Sequence, residues 1–488
     1  MRSDRRRDCK VQWLFPWSAL CALLILSGIG TAPTFGQDKP VSPPRPLYPI
    51  PRYEEDWSFL SDPSKHNDWW DPIKFIPLSK DGSVFLSLGG EIRETYERFH
   101  NTNFGLSAQD PDGYFLQRYL FHTDLHAGRR FRFFGELSSS LENGRTGGPR
   151  PIIDEDRLDV HQGLVDVLLL RSSQKSFLTL RVGRQELALG SGRLVALREG
   201  PNVPLSFDGV RLSLHSRGWQ IDGFATRPVQ NQTGIFDDPP QHDSAFWGAY
   251  ATHPLSAGPK SPLALDFYYL GIDRKLAVFN QGAAPETRHT VGARIYGQRR
   301  AWSYDTEGMY QFGSFGSGAI NAWRAAADNA YTISSVLWHP RLGLATDIAS
   351  GDHDPANPDL ETFNALFQSG TYSGRAQILG PSNAIRLEPS IGLSPSEVIT
   401  LSAGWGFFWR ESANDGLYGI PGNLIVPSHG VKSRYEGSRP IVQLDWQATR
   451  HLSAHLNYIY VFNAAFEEQS VHGTTSMSYI SPWLTYRF

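Results

Sequence analysis

The side chains in this chain best placed to do chemistry are arginines set among carboxylates at alternate positions. In "SVFLSLGGEIRETYERF", Glu91 and Arg93 share a face with Thr95 and Glu97, opposite Val84, Leu86, Leu88, Ile92 and Tyr96. Arg132 and Glu136 oppose Phe131, Phe133 and Leu137, and Arg294 opposes Val291, Ala293 and Ile295. Asp305 and Glu307 lie across from Trp302, Tyr304, Tyr310 and Phe312, and Arg410 from Leu401, Trp405, Phe407 and Trp409. Arg118, Asp124 and Asp347 hold equivalent places in their own runs. A guanidinium is a planar, permanently charged fork that grips a carboxylate through two bonds. A row of such forks with interspersed acids suits guiding an anion through many weak, replaceable contacts. The competing reading is that these charges brace one another as cross-strand pairs.

Bond-breaking chemistry has little support. There is no nucleophile elbow, phosphate-binding loop or zinc spacing. His122, Asp124 and His126 share a face, but no serine or other activated nucleophile is placed with them, so they read as a brace. In "SGDHDPANPD", Asp352, Asp354 and Asp359 surround His353 and offer oxygens to calcium, without the ordered spacing of a calcium loop. No catalytic residue, cofactor or metal is expected.

What must position these side chains is a set of short strands. From about residue 83 onward, apolar and polar residues alternate in runs broken by Gly, Asn, Asp, Ser and Pro, which is the pattern of strands and turns. Two runs resist the pattern. "LDVHQGLVDVLLL" has a polar residue on each face, leaving its register open, and "AINAWRAAADNAYTI" is alanine-rich enough for a helix. The chain ends on "SYISPWLTYRF", where Tyr486, Leu484 and Ile480 share one face and Arg487, Thr485, Trp483, Ser481 and Tyr479 the other. The long stretch near residues 419–440 has the length to fold over a mouth as a gate.

The start of the chain concerns export. Arg2, Arg5, Arg6, Arg7 and Lys10 precede an apolar run, and Thr34 and Gly36 are small enough for a cleavage site. Residues 1–36 therefore read as a signal peptide cut before Gln37. Both cysteines, Cys9 and Cys21, fall inside it, so the mature chain is expected to have no disulfide. Without the leader the charge balance moves from 46 basic against 49 acidic residues to 41 against 47. That excludes a wholesale electrostatic attractor for nucleic acid. The basic residues are nonetheless 33 arginines to 8 lysines. Residues 37–80, rich in proline, read as a periplasmic lead-in partly packed through Trp57, Trp69 and Trp70.

Alternation fits a soluble β-sandwich as well as a membrane barrel. Aromatics near strand ends, charges over successive positions of the polar face, and a final strand closing on Phe488 favour an all-β transmembrane antiparallel barrel over residues 81–488. A terminal strand cannot fray if it must pair with the first to remove the open edges. At roughly 22 residues per strand and connection, about 18 strands are expected, enough for an aqueous channel. Lipid of the outer membrane is then the medium around it.

The text also resembles a known family. "RVGRQELALGSGRLV" followed by "SFDGVRL" is similar to the central block of the alginate-export outer-membrane proteins. So are "DWWDPIKFIPL", "TRHTVGARIYG", "YQFGSFGSGAINAW", "IASGDHDP" and "WRESANDGLYGIPG", over roughly residues 53–488 in the same order. The resemblance implies an eighteen-stranded monomer whose arginine-rich lumen passes an anionic polysaccharide outward, with periplasmic proteins of an export complex as partners. It contributes Arg184, Gln185, Glu186 and Arg193 as site residues, with Arg181 and Arg211 beside them. Glu91, Asp124, Glu136, Asp305, Glu307 and Asp347 then hold the guanidinium groups in place. An uptake porin for small carboxylates or other anions and an outer-membrane enzyme are the alternatives.

Overall fold

The computed structural model describes residues 47–256, 262–370, 379–420 and 422–488. The expected signal peptide and the first part of the lead-in lie outside the described residues. Eighteen long strands follow one another: β1 (Val84–His100), β2 (Tyr114–Ala127), β3 (Phe131–Asn143), β4 (Asp156–Ser173), β5 (Ser176–Gln185) and β6 (Phe207–Ser216). Next come β7 (Trp219–Pro228), β8 (Ser244–Ser256), β9 (Leu263–Phe279), β10 (Gly282–Arg299), β11 (Trp302–Phe315) and β12 (Gly318–Thr332). The circuit ends with β13 (Arg341–Ala349), β14 (Ala384–Ser396), β15 (Ile399–Arg410), β16 (Tyr435–Gln447), β17 (Leu452–Val461) and β18 (Met477–Arg487). Each strand pairs antiparallel with the next, and β18 returns to β1 with Glu91 opposite Arg487, so the sheet is a closed barrel. Phe488 fastens the seam: its N–H donates to the Gly90 carbonyl at 3.0 Å and its own carbonyl accepts from Gly90 at 2.9 Å.

The two faces invert the order of a soluble protein. Val210 is 42% exposed and Val442 53%, whereas Arg118 and Arg324 are 1% exposed. Apolar side chains that face outward around a closed sheet, with charges held inside, are suited to lipid and not to water. Among the described residues no helix is long and apolar enough to cross a membrane; the strands do so.

The two ends differ. The turns 128–130, 174–175, 217–218, 300–301 and 397–398 share one end with the start of β1 and with Phe488. At the other end lie the long connections 186–206, 350–383 and 411–434. Their apolar residues turn into the barrel: Leu187, Leu194 and Val195 from the first, Leu360, Phe363 and Leu366 from the second, and Tyr418 from the third. They form one cluster with the lumen-facing Phe207, Phe246, Met309 and Phe315.

Both ambiguous runs resolve for physical reasons. In β4, Glu136 faces Gln162 while Leu137 faces Val160, so His161 is an extra residue in a bulge. A bulge resets the side-chain alternation, and His161 and Gln162 are both buried as a result. The alanine-rich run is strand β12, not a helix, because it is paired along its length with β11 and in part with β13. Strand pairing outweighs a preference worth tenths of a kcal/mol per residue.

The described part of the proline-rich segment enters the barrel at the turn end. Trp57, Leu60 and Phe75 pack with Tyr48 and Phe85. Trp69 remains exposed, and Trp70 stacks on Phe488 with ring centres 4.5 Å apart. Arg52 donates to the carbonyls of Gly90 and Phe488, both at 2.9 Å, which ties the segment to the seam.

Candidate functional site

The lumen is narrowed by loop 186–206, which crosses it between two groups of arginines. At one end Arg93 donates to the carbonyls of Glu199 and Pro201 at 2.6 and 2.8 Å. Arg118 bridges Glu91 at 2.6 Å and Glu199 at 3.1 Å. Asn202 adds bonds to the carbonyls of Gln117, Leu141 and Asp154. At the other end Arg193, carried by the loop, reaches Asp305 at 2.8 Å, Glu307 at 2.9 Å and Asp328 at 2.5 Å. Arg294 pairs with Asp305 and Asp266, and Arg324 holds Asp347 through both forks while donating to the Arg193 carbonyl. Loop 350–383 locks on in turn, through Phe367 N–H to the Leu194 carbonyl at 2.8 Å. Gly190 lets the loop pass: its φ is +57° and a β-carbon there would sit 2.1 Å from the Tyr250 hydroxyl.

Nearer the turn end, a second group surrounds the inserted segment. Arg132 binds Asp124 at 2.7 and 2.8 Å and also donates to the Tyr53 carbonyl at 2.5 Å. Arg181 binds Asp166 at 2.7 and 2.9 Å and lies 4.4 Å over the Tyr53 ring. Arg211 donates to Asp222 at 3.0 Å. Between the two groups runs a row of alternating acids and imidazoles. Glu55 is 3.8 Å from His122, His122 is 3.7 Å from Glu136, Glu136 is 4.0 Å from His161, and His161 is 3.0 Å from Glu186. Burial, reinforced by Glu199, pushes the Glu186 carboxyl up to about 8. Burial also pushes Lys74 down to about 8, although Glu55 stands 3.3 Å away.

Most of the residues singled out from the sequence thus meet in the lumen, but two do not. Arg184 shares its strand face with the outward-facing Val182 and pairs with Asp208, which lies on the same outward face as Val210, so it sits on the outer side near the loop end. The resemblance placed it inside; alternation toward the buried Gln185 and Phe207 turns it out. Arg410 is fully buried and donates to the carbonyls of Ala413, Asp415, Val431 and Ser433, so it knits loop 411–434 instead of lining a path. The brace reading of His126 and Asp124 agrees with their 3.1 Å contact. Asp354 and Asp359 cap turns through Ala356 N–H and Ala319 N–H. Glu199, Asp166, Asp222, Asp266, Asp328, His161 and Arg324 belong to the site and were not anticipated. The spacing Arg324, Ala326, Asp328 carries a period of two that the alanine content hides.

A sequence model described as alginate export matches residues 84–475. The chain belongs to the alginate-export family. It is therefore an outer-membrane β-barrel, with the short turns and both ends of the barrel segment on one side and the long loops on the other, the asymmetry usual in such barrels. Curated proteins compared with the sequence give no match. Among solved structures, the Pseudomonas aeruginosa outer-membrane protein OpdK with vanillate superposes with a TM-score of 0.53 at 13% identity, covering 83% of this chain and 98% of that one. A BenF-like porin from Pseudomonas fluorescens Pf-5 gives 0.55 at 11% identity, covering 83% and 98%. Pseudomonas aeruginosa OccD3 (OpdP) gives 0.54 at 11%, covering 83% and 91%. At such identities the likeness is one of fold, that of a porin-shaped barrel.

Proposed function

We propose that this alginate-export protein conducts an anionic polysaccharide of uronate type through its lumen and across the outer membrane. The supporting observation is the ladder of guanidinium–carboxylate pairs at both ends of loop 186–206, from Arg118 and Glu91 to Arg193 with Asp305 and Glu307. A uronate carboxylate matches the wall carboxylates in shape and charge. It displaces one acid from its guanidinium, then yields to the next, so each contact is strong in geometry and cheap to exchange. The paired acids keep the wall from holding the polymer too tightly. Single-channel recording of the mature protein in planar bilayers tests this: oligouronates added on the periplasmic side block the current transiently, and neutral oligosaccharides of equal length do not. Block that is absent, or equal for both, contradicts the proposal.

A second reading is uptake of small carboxylates. It draws on the loops 186–206, 350–383 and 411–434 that fill the lumen, and on the fold neighbour OpdK, whose structure contains vanillate. Saturable current block by a monomeric carboxylate, with none by its oligomer, favours it.

A further inference from the structure

At the loop end of β4, apart from the arginine groups described above, a separate group of acids is brought together by loop 229–243. The loop returns to the wall by a parallel bridge between Ile235 and Leu158, with Phe236 N–H donating to the Leu158 carbonyl at 2.9 Å. This sets Asp238 beside Asp156 and Asp159, so that one carboxylate oxygen of each lies within 4.8 Å of the others. Asp159 and Asp238 are oriented by N–H donors: Val160, Asp237 and Asp238 point at the first, Gln232 and the Asn231 amide at the second. Asp156 is different. It is 2% exposed, and its Oδ1 is buried with no hydrogen-bond partner.

The charges around it do not balance. Asp237 adds a fourth carboxylate at the neighbouring position, and the nearby guanidinium is Arg184, 3.6 Å from Asp159. Its fork is spent on Asp208 at 2.8 and 3.0 Å, and it donates to the Asp238 carbonyl. A buried carboxylate that lacks both partner and counter-ion is costly. The donors are all oxygens, with no imidazole or thiolate, which suits a hard cation and not zinc or copper. Oxygens on opposite sides of a calcium ion stand about 5 Å apart, so one ion can touch all three carboxylates. Magnesium keeps its waters and demands a stricter octahedron than acids on a strand end and an irregular loop supply.

We propose that Asp156, Asp159 and Asp238 bind a calcium ion that pins loop 229–243 to the end of β4. The pinned loop holds Arg184, two residues before the lumen-crossing loop begins at Glu186, so the ion also stiffens the root of the constriction.

The test is calorimetric titration of the full mature protein, chelator-treated and held in detergent free of lipopolysaccharide, with calcium chloride alone, followed by melting curves. One ion per chain binds saturably and raises the melting temperature. Asp156→Asn and Asp238→Asn each weaken binding by about tenfold or more, since carboxylate count sets the affinity of such sites. Both variants fold without calcium, because each removes a like charge from a crowded group. Asp354→Asn, in the other acidic loop, binds as the wild type does. Absence of saturable binding, binding indifferent to Asp156→Asn and Asp238→Asn, or an equal rise with magnesium at the same concentration overturns the proposal.

Discussion

At the scale of single residues, the lumen arginines do two jobs that the sequence does not separate. They brace the wall, and in the proposed function they also form the contacts that a passing carboxylate borrows. Alternation told which face Arg93, Arg118, Arg132 and Arg294 occupy, because that depends on local backbone geometry alone. It could not tell which acid each meets, because partners such as Glu199 and Asp328 come from elements far along the chain. Arg184 shows the limit from the other side: a motif borrowed from the family carried no information about the face it would take here. The bracing role has a measurable size. Arg324 and Asp347 are buried and joined through both forks. Arg324→Met leaves a buried carboxylate without its guanidinium and lowers unfolding stability by about 3–5 kcal/mol. Arg324→Met with Asp347→Leu recovers most of that loss, because a well-packed apolar pair replaces a buried ion pair at little net cost. Denaturant unfolding in detergent reads both; a double variant as unstable as the single one contradicts the pairing described.

At the scale of elements, loop 186–206 and the segment 47–75 are bonded to lumen-facing side chains, Arg93 and Arg132 among them. The sequence marked a long loop near 419–440 as a gate, since length was the visible signal. The loop that crosses the lumen was visible as a site motif and not as a crossing element. Its path depends on Gly190 clearing Tyr250 and on Arg93 and Arg118 catching Glu199, which are contacts between distant segments. Glu186 at its root has a pKa of about 8 in the fold against an ordinary value of 4.5. The folded state therefore holds the proton more tightly. The stability this contributes is complete below about pH 4.5 and is lost as pH rises through about 8. The melting temperature of the wild type falls between about pH 4.5 and pH 8, and Glu186→Gln, which mimics the protonated acid, shows a flatter profile. Equal slopes in the two proteins refute a role for this carboxyl. The inserted segment is held by Arg52 at the seam and by Glu55 beside Lys74 and His122. Replacing Arg52 and Glu55 together by alanine loosens it, with larger or longer openings expected in planar bilayers. Unchanged traces mean that the segment does not obstruct the path.

At the scale of the whole molecule, the barrel was legible because its rule is repetitive. Every strand must hide its hydrogen bonds in its neighbours and its charges from lipid, so the same period of two recurs from Val84 to Phe488. Closure was legible too, in the aromatic end of β18, which the structure shows bonded to Gly90 at both its N–H and its carbonyl. The filling of the lumen was not legible, because loops and the inserted segment follow no period. The molecule that results is a tube whose interior holds paired charges and whose exterior is greasy. What it carries is set by that interior. The most direct measurement is release of a fluorescently labelled oligouronate from proteoliposomes containing the mature protein, compared with a neutral oligosaccharide of the same length and label. The oligouronate is released at a rate that falls when Arg118 and Arg193 are replaced by glutamine, and the neutral chain is retained. Retention of both, or release of both at one rate, would contradict the proposed function.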